Sequence, residues 1–445
     1  MLTKSKTNLL LTFFIFPLFL SFNLSNIPFI GKFFEKGADT LSSKETKISY
    51  WGLFETEATL APSIENYQNN HPNIQISYEP KDFNNLKSYK ETLQERLKNN
   101  TAPDIIRIHS SWVSEFYPYL QPAPSSLFTK ESYASEFFPS AQNTCVSSKG
   151  AVYAVPLMYE ALVVFYNQDM LDEKGITRLP KTWDDFRELA IALTQKDERG
   201  NIVRAGAAIG NFRNVAHGSD ILGLMFSQSN VGIPADLDSD TATEILDYYT
   251  SFFKTDHVWD AWLPYSPVAF AEKKVALLFA PTWQSFNILN ENPNLKIGIA
   301  AVPQIPVWET PHITNINWAS FWVEAVTKSS KNPTASWEFL KFLSSKEQRT
   351  KLFSTGSRIR PFGNAFGLDS LSETLKNETY ITDVVLGAPY AKTGIITDRV
   401  GNDVYTEAIG KAIDDVLAGK TSKEALTEAK NTLQEAQKIS QLELE

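Results

Sequence analysis

Strand and helix signals alternate along the first part of this sequence, and this alternation restricts the fold more than any other feature. Short apolar strands are predicted at residues 48–51, 74–78 and 105–108, with helices at 57–69 and 86–97 between them. In the second helix the apolar residues are spaced by three and four, which is one face of a helix. A β-α-β-α-β order predicts a mostly parallel sheet covered by helices.

Signals of the same kind continue to the C-terminus. Further strands are predicted at 162–165, 275–279, 297–301 and 321–326, and further helices at 243–253 and 333–343. Thr182 with Asp185 is the pattern of a helix start, and Thr421 with Glu424 opens the second of two C-terminal helices. The chain is therefore predicted to be an α/β protein. Its 445 residues are too many for one ordinary core and indicate two domains.

The N-terminus has the features of an export signal. Two lysines precede a run from residue 9 to residue 20 that is apolar apart from one threonine, as in secretory signal peptides. Weaker apolar character continues to residue 30, so residues 9–30 are also long enough to cross a bilayer as an uncleaved anchor. We expect residues 1–30 to be a signal peptide or a membrane anchor, and the polar residues 31–46 to be a linker.

Charge and motifs exclude several classes of function. The net charge of −9 argues against a nucleic-acid partner, because phosphate binding needs a basic face. The five histidines show no metal-ligand spacing. The single cysteine, Cys145, lies in an expected loop where nothing marks it as a nucleophile. We therefore expect no catalytic residue, no cofactor and no metal. Aromatic residues are abundant, with ten tryptophans, which suits a cleft for a ligand with flat, weakly polar faces.

Several short segments follow one another in an order typical of a known family. They are ISYWG at 48–52, HPNIQI at 71–76, APDII at 102–106, VYAVP at 152–156, PKTW at 180–183, PTW at 281–283 and ASWEFLKFL at 335–343. In this order the chain resembles the extracellular solute-binding proteins of ABC transporters, in the branch of maltose-binding-protein-like sugar receptors. Maltose receptors of that family carry an Asp-Arg pair where this sequence has Ser110 and Ser111. The charged side chains that hydrogen-bond to sugar hydroxyls in those receptors are therefore absent at these two positions, which argues against maltose itself as the ligand.

The resemblance implies a type II periplasmic-binding-protein fold, with two discontinuous α/β lobes. Lobe 1 is expected at 47–155 plus 303–360 and lobe 2 at 156–302 plus 361–445, with crossings near Val155, Val302 and Arg360. It implies a non-enzymatic receptor that closes by a hinge motion around a small ligand, with a mono- or oligosaccharide the expected one. The receptor would be exported, extracytoplasmic and monomeric, and its partners would be the membrane subunits of an ABC permease.

The resemblance also implies which residues contact the ligand. Glu160 matches a carboxylate that accepts hydrogen bonds from ligand hydroxyls. Trp283, after a predicted strand, matches an indole whose face stacks on a sugar ring. The other expected ligand-binding residues are Trp318, Trp112, Ser111, Glu55, Tyr159, Arg360 and Tyr390.

Three alternatives remain open at this point. The ligand can be a different small solute, such as a polyamine, a glycerophosphodiester or a peptide. The chain can also be a carbohydrate hydrolase, because a pair of carboxylates could serve glycoside hydrolysis. It can thirdly be a surface adhesion protein, in which no cleft would close when a ligand is added.

Overall fold

The strands of this chain form two sheets. The computed structural model describes residues 45–82, 84–306, 314–358, 372–375, 377 and 380–442. The strands are β1 (Thr46–Gly52), β2 (Ile74–Pro80), β3 (Ile105–His109), β4 (Val155–Pro156), β5 (Leu162–Asn167), β6 (Gln195–Lys196), β7 (Ile202–Ala208), β8 (Val275–Pro281), β9 (Ile297–Ala300) and β10 (Trp322–Val326). Sheet 1 has the order β2-β1-β3-β10-β4, and sheet 2 has the order β6-β7-β8-β5-β9.

Helices follow most of the strands. They are α1 (Glu57–Asn70), α2 (Leu86–Lys98), α3 (Val113–Phe116), α4 (Lys130–Glu136), α5 (Pro139–Cys145), α6 (Gln168–Glu173), α7 (Trp183–Leu193), α8 (Gly218–Gln228), α9 (Asp240–Lys254), α10 (Ser266–Ala271), α11 (Gln284–Glu291), α12 (Pro333–Ser344), α13 (Lys346–Gly356), α14 (Ser372–Leu375), α15 (Thr382–Gly387), α16 (Asp403–Leu417) and α17 (Ser422–Leu442). Short 3₁₀ turns occur at Ser110–Trp112, Tyr117–Tyr119 and Ala388–Tyr390.

Sheet 1 combines the predicted parallel unit with strands from later in the sequence. β1 pairs in parallel with β2 and β3, as the β-α-β-α-β pattern predicts. β10 lies between β3 and β4 and is antiparallel to both. Its register sets Trp322 opposite His109, so the amino end of β10 meets the carboxyl end of β3.

Sheet 2 is built from the middle of the chain. β7 and β8 are parallel, whereas β5 is antiparallel to both β8 and β9. β7 was not among the predicted strands, because its buried part is Ala205, Gly206, Ala207 and Ala208 rather than branched or aromatic residues. A side chain at Gly206 would clash with the backbone oxygen of Ala190 in α7, so this close helix–sheet approach needs small residues.

The helix ends confirm several sequence predictions and correct one. Thr182 caps α7 by accepting a hydrogen bond from the backbone N–H of Asp185, at 3.2 Å. Thr421 and Glu424 exchange the reciprocal bonds of a capping box, each at 3.3 Å. Cys145 was expected in a loop, but it is the fully buried last residue of α5. Burial raises the pKa of its thiol, which makes it a poor nucleophile.

The N-terminal segment lies outside the described residues. The predictions for residues 1–30, and for the linker up to residue 44, therefore stay predictions. Within the part of the chain that the structure describes, the helices are too short or too polar to cross a membrane.

Candidate functional site

One edge of each sheet faces the other sheet. In sheet 1 the carboxyl ends of β1 and β3 lie at the same edge as the amino end of β10. In sheet 2 the carboxyl ends of β7 and β8 lie at the same edge as the amino end of β5. Because residues 157–161 alone connect β4 to β5, these two edges are within about 20 Å of each other. In α/β proteins, ligands bind in crevices at the carboxyl ends of strands.

Two passages of chain between the sheets are bonded to each other. Residues 157–161 lead from sheet 1 to sheet 2, and residues 301–321 lead back. The N–H of Leu162 donates to the backbone oxygen of Trp318, and the N–H of Ser320 donates to the backbone oxygen of Glu160, both at 2.9 Å. These passages adjoin Val155 and Val302, the expected crossings. The third expected crossing, near Arg360, lies outside the described residues.

A third segment adds to this pair. The N–H of Lys392 donates to the backbone oxygen of Asn317 at 2.8 Å, and the N–H of Ala319 donates to the backbone oxygen of Lys392 at 2.7 Å. Three stretches of backbone thus run side by side at the junction of the two sheets.

Glu160 lies at this edge of sheet 2. It is buried, and its Oε2 accepts hydrogen bonds from the backbone N–H and from the hydroxyl of Thr282, at 3.2 and 2.7 Å. Thr282 directly follows β8, so the bonds fix the Glu160 carboxylate next to Trp283. The antiparallel pairing of β5 with β8 produces this arrangement, because it sets Leu162 opposite Pro281.

Trp283 is the expected stacking residue, and it is half-buried at the same edge. It occupies the turn between β8 and α11. Its ring centre lies 6.4 Å from that of His217, and the two rings are inclined by 72°. The structure therefore places Trp283 at the end of sheet 2 that also carries the buried Glu160 carboxylate, directly after the residue to which that carboxylate is bonded.

Trp318 is fully buried rather than open at the edge. Its indole Nε1 donates to Asp220 Oδ1 at 2.7 Å. Its ring lies between Gly223 and Gly394, where an added Cβ would be 2.7 and 2.8 Å from the ring atom Cη2. This tryptophan thus connects the return passage to the start of α8.

The expected contacts on sheet 1 mostly have partners inside the protein. Glu55 forms an ion pair with Arg107, which also pairs with the fully buried Glu324. Trp112 is fully buried, with its ring centre 5.4 Å from that of Trp322.

Tyr159, in the first passage, is buried as well. It stacks on Phe321 with ring centres 5.2 Å apart, and its hydroxyl is 2.8 Å from that of Ser140. Tyr390, in contrast, is 51% exposed in the 3₁₀ turn after α15. Arg360 lies outside the described residues.

Ser111 takes part in a bridge between the elements around the two sheets. Its hydroxyl accepts a hydrogen bond from the Nδ2 of Asn402 at 2.7 Å, and it lies 2.7 Å from the Nδ1 of His109. Asn402 directly precedes α16, whose first residue, Asp403, pairs with Lys87 of α2 at 3.2 Å. Polar contacts therefore join α16 to the elements that carry Ser111.

A cluster that was not predicted from the sequence lies beside Trp283. Asp220 accepts hydrogen bonds from His217 Nδ1 at 2.8 Å and from the backbone N–H of Asp398 at 3.2 Å, in addition to the bond from Trp318. Burial raises the pKa of the Asp220 carboxyl, while the bonds from His217 and Trp318 oppose that rise. In the sequence, the spacing of three residues between His217 and Asp220 at a helix start is the local pattern that could have indicated this cluster. Asp398 could not have been assigned to it, because it is distant in the sequence.

This cluster has the side chains of a possible cation site. The ligand atoms of His217, Asp220 and Asp398 all lie within 4.8 Å of one another. Both oxygens of Asp220, however, already accept hydrogen bonds from N–H donors. The arrangement is therefore that of a hydrogen-bonded cluster that holds the His217 ring in place.

Known proteins resemble this chain in sequence and in fold. The family model for bacterial extracellular solute-binding proteins matches residues 63–377, well over half of the chain. A Brucella abortus protein described only as a binding protein is 22% identical over 297 residues, 64% of this chain and 68% of that protein. The arabinooligosaccharide-binding protein of Halalkalibacterium halodurans is 24% identical over 217 residues, 47% of each chain.

A solved structure shows the same fold. The cyclo/maltodextrin-binding protein complexed with maltotetraose matches with a TM-score of 0.69 and 17% identity, over 89% of this chain and 98% of that one. The likeness confirms the expected fold class, two α/β lobes of the type II periplasmic-binding-protein kind.

Proposed function

We propose, since this chain belongs to the family of bacterial extracellular solute-binding proteins, that it binds a mono- or oligosaccharide between the facing edges of its two sheets and delivers it to the membrane subunits of an ABC importer. Its family consists of binding proteins that act outside the cytoplasm. The observation that carries the choice of a sugar is that Trp283 directly follows Thr282, the residue that holds the Glu160 carboxylate at the edge of sheet 2.

The chemistry of this pair suits a saccharide. An indole face covers the C–H side of a sugar ring with little loss of conformational entropy. A carboxylate has several acceptor sites and no donor, which matches the hydroxyl groups around that ring. Because Glu160 Oε2 is fixed by Thr282, the carboxylate is oriented before the ligand arrives, and less ordering is needed on binding.

In this proposal the expected contacts have two roles. Trp283, Glu160 and Ser111 lie at the two edges and would contact the ligand, and Glu160 and Ser111 are also held by hydrogen bonds within the protein. Trp112, Trp318 and Tyr159 are fully buried, Glu55 is held in its ion pair with Arg107, and these four residues would position the edges. Tyr390 and Arg360 stay candidates for contacts on the outer side of the cleft.

The two lobes of the proposal follow the two sheets. Lobe 1 comprises 47–155 plus 303–360, and lobe 2 comprises 156–302 plus 361–445. Nearly every strand of each sheet falls in the corresponding range, which supports this division. A ligand that touches both lobes favours the closed form by its difference in affinity for the two forms. We further propose that the protein is a monomer. Residues 9–30 either hold it at the membrane or are removed with a cleaved signal peptide. The mass of the N-terminal peptide of the mature protein distinguishes anchoring from cleavage.

Calorimetry with a panel of solutes tests the proposed function. The panel contains maltotetraose, an arabino-oligosaccharide, mannobiose and D-tagatose, with spermidine, glycerophosphocholine and a tripeptide as non-sugar solutes. We expect at least one saccharide to bind with a Kd in the micromolar range, about −8 kcal/mol. If no saccharide binds and one of the other solutes does, the sugar assignment is wrong. Release of reducing sugar on prolonged incubation would instead indicate a hydrolase.

Substitution of Trp283 tests the position of the site. Trp283→Ala should weaken saccharide binding about tenfold or more, roughly 1.4 kcal/mol, with an unchanged thermal midpoint. Trp283→Phe keeps an aromatic face and should lose less affinity. Equal affinity of all three proteins would place the ligand elsewhere.

A further inference from the structure

His217 lies at the edge of sheet 2, next to Trp283. It follows β7 and directly precedes α8, in the left-handed backbone region with φ of 61°. Because β7 and β8 are parallel, the segments after them, which carry His217 and Trp283, lie at the same edge. The ring contact between these two residues confirms that they are neighbours.

The two ring nitrogens of His217 have different surroundings. Nδ1 is 2.8 Å from Asp220 Oδ2. Asp220 also accepts hydrogen bonds from the indole N–H of Trp318 and from the backbone N–H of Asp398. Its carboxylate is therefore an acceptor in each of these bonds. An acceptor at this place requires a proton on Nδ1, and the neutral ring then carries its lone pair on Nε2.

The Nε2 atom of His217 is buried and has no hydrogen-bond partner among the described residues. The side chain as a whole is 3% exposed. A buried polar atom without a partner is unfavourable, and such atoms in native structures call for an explanation. The position of this one beside a half-buried indole at the edge that faces sheet 1 suggests that its partner is a bound molecule.

We propose that His217 Nε2 accepts a hydrogen bond from a hydroxyl group of the bound ligand, while the neighbouring Trp283 indole covers a carbon face of the same ligand. Asp220 is the positioning residue, because it fixes the tautomer and the orientation of the ring. This inference rests on the proposed function and adds to it a hydroxyl-reading group. It predicts a ligand with a hydroxyl next to an apolar ring face, as in a saccharide.

Two substitutions at residue 217 separate the two ring nitrogens. His217→Asn retains an amide near the place of Nδ1, which can still bond Asp220, and asparagine tolerates the left-handed backbone. It has no atom at the place of Nε2. His217→Gln is the matched control, because its longer amide reaches the place of Nε2 and can accept a hydroxyl proton there.

The test measures binding of maltotetraose by calorimetry, or of another panel saccharide if the wild-type protein prefers it. We expect His217→Asn to weaken binding about tenfold and His217→Gln to weaken it about threefold or less, with thermal midpoints near that of the wild type. Equal binding by His217→Asn and wild type overturns the inference, although the proposed function stands. If the wild type binds no saccharide, the proposed function is wrong. The inference is then wrong as well, because no ligand hydroxyl donates to His217 Nε2.

Ring NMR gives an independent measurement if the variants fold poorly. In the ¹⁵N-labelled wild type, the Nε2 resonance of His217 should have the shift of an unprotonated nitrogen and should move when the saccharide is added. In Asp220→Asn the free protein should show a mixture of tautomers, which a purely structural role for Asp220 would not produce. An Nε2 resonance that ignores the saccharide overturns the inference. A cation site would also overturn the inference. It would be indicated if ZnCl₂ raises the thermal midpoint of the wild type but not that of His217→Asn, and if saccharides leave both midpoints unchanged.

Discussion

A buried histidine at the edge of sheet 1 should make the protein sensitive to acid. His109 is fully buried at the end of β3. Its Nδ1 accepts a hydrogen bond from the backbone N–H of Ser111 at 3.2 Å, so the neutral ring carries its proton on Nε2, which is 3.1 Å from the Ser320 hydroxyl. Protonation would put a second donor opposite the Ser111 N–H. Burial, assisted by the charge of Lys90, lowers the pKa of His109 from 6.5 to about 3.

The size of the effect follows from the difference between the folded and unfolded pKa. The native state holds His109 neutral, whereas the unfolded chain binds a proton below pH 6.5, so stability falls as the pH falls through 6.5 and levels off only near pH 3. Between pH 7.5 and pH 5.0 this one group should lower the free energy of unfolding by about 2 kcal/mol.

Urea unfolding at the two pH values, followed by tryptophan fluorescence, measures this loss. The matched variant is His109→Asn, whose amide oxygen can accept the Ser111 N–H but does not titrate. The variant should be less stable at pH 7.5, yet it should lose about 2 kcal/mol less than the wild type when the pH falls to 5.0. If the two proteins lose the same free energy within about 0.5 kcal/mol, His109 is not held neutral by its surroundings.

Two further substitutions test the framework around the site by urea unfolding at neutral pH. Arg107→Met should cost about 3–5 kcal/mol, because it removes the cation that is hydrogen-bonded to the fully buried Glu324 carboxylate. The control Arg187→Met breaks a partly exposed pair and should cost about 1 kcal/mol or less, so equal losses would contradict the reasoning. Gly223→Ala should destabilise by about 1–3 kcal/mol, because the Trp318 ring is confined and cannot move away from the new methyl group. A gain in stability, the usual result of Gly→Ala in a helix, would show that the ring does move.

The sequence predicted most strands because they carry branched or aromatic side chains. β5 and β8 are apolar runs of this kind, and Glu160 and Trp283 lie just outside their paired ends. The alanine- and glycine-rich β7 gave no such signal. Its small residues are needed by the close approach of α7, and a tertiary requirement of that kind is not visible in local propensity.

The polar groups of the site were harder to predict. Arg107 lies in the middle of an apolar strand, and its partner Glu324 comes from β10, more than two hundred residues later. His217, Asp220 and Asp398 likewise meet only in the folded chain. A single sequence does not show which distant residues are in contact. Candidate residues chosen from motifs therefore include many aromatic residues, but not the buried polar residues that hold them in place.

The strand order also constrains when each half of the protein can form. All strands of sheet 2 lie between residues 162 and 300, so this sheet has its full set of strands as soon as that continuous stretch has emerged. Sheet 1 cannot close, because β10 belongs between β3 and β4 and comes only at Trp322–Val326. Until then β3 and β4 have no shared neighbour, and their unpaired edges are open to wrong partners. As the chain is made from its amino end, the first strands of sheet 1 therefore wait for β10 while sheet 2 already has its full set of strands.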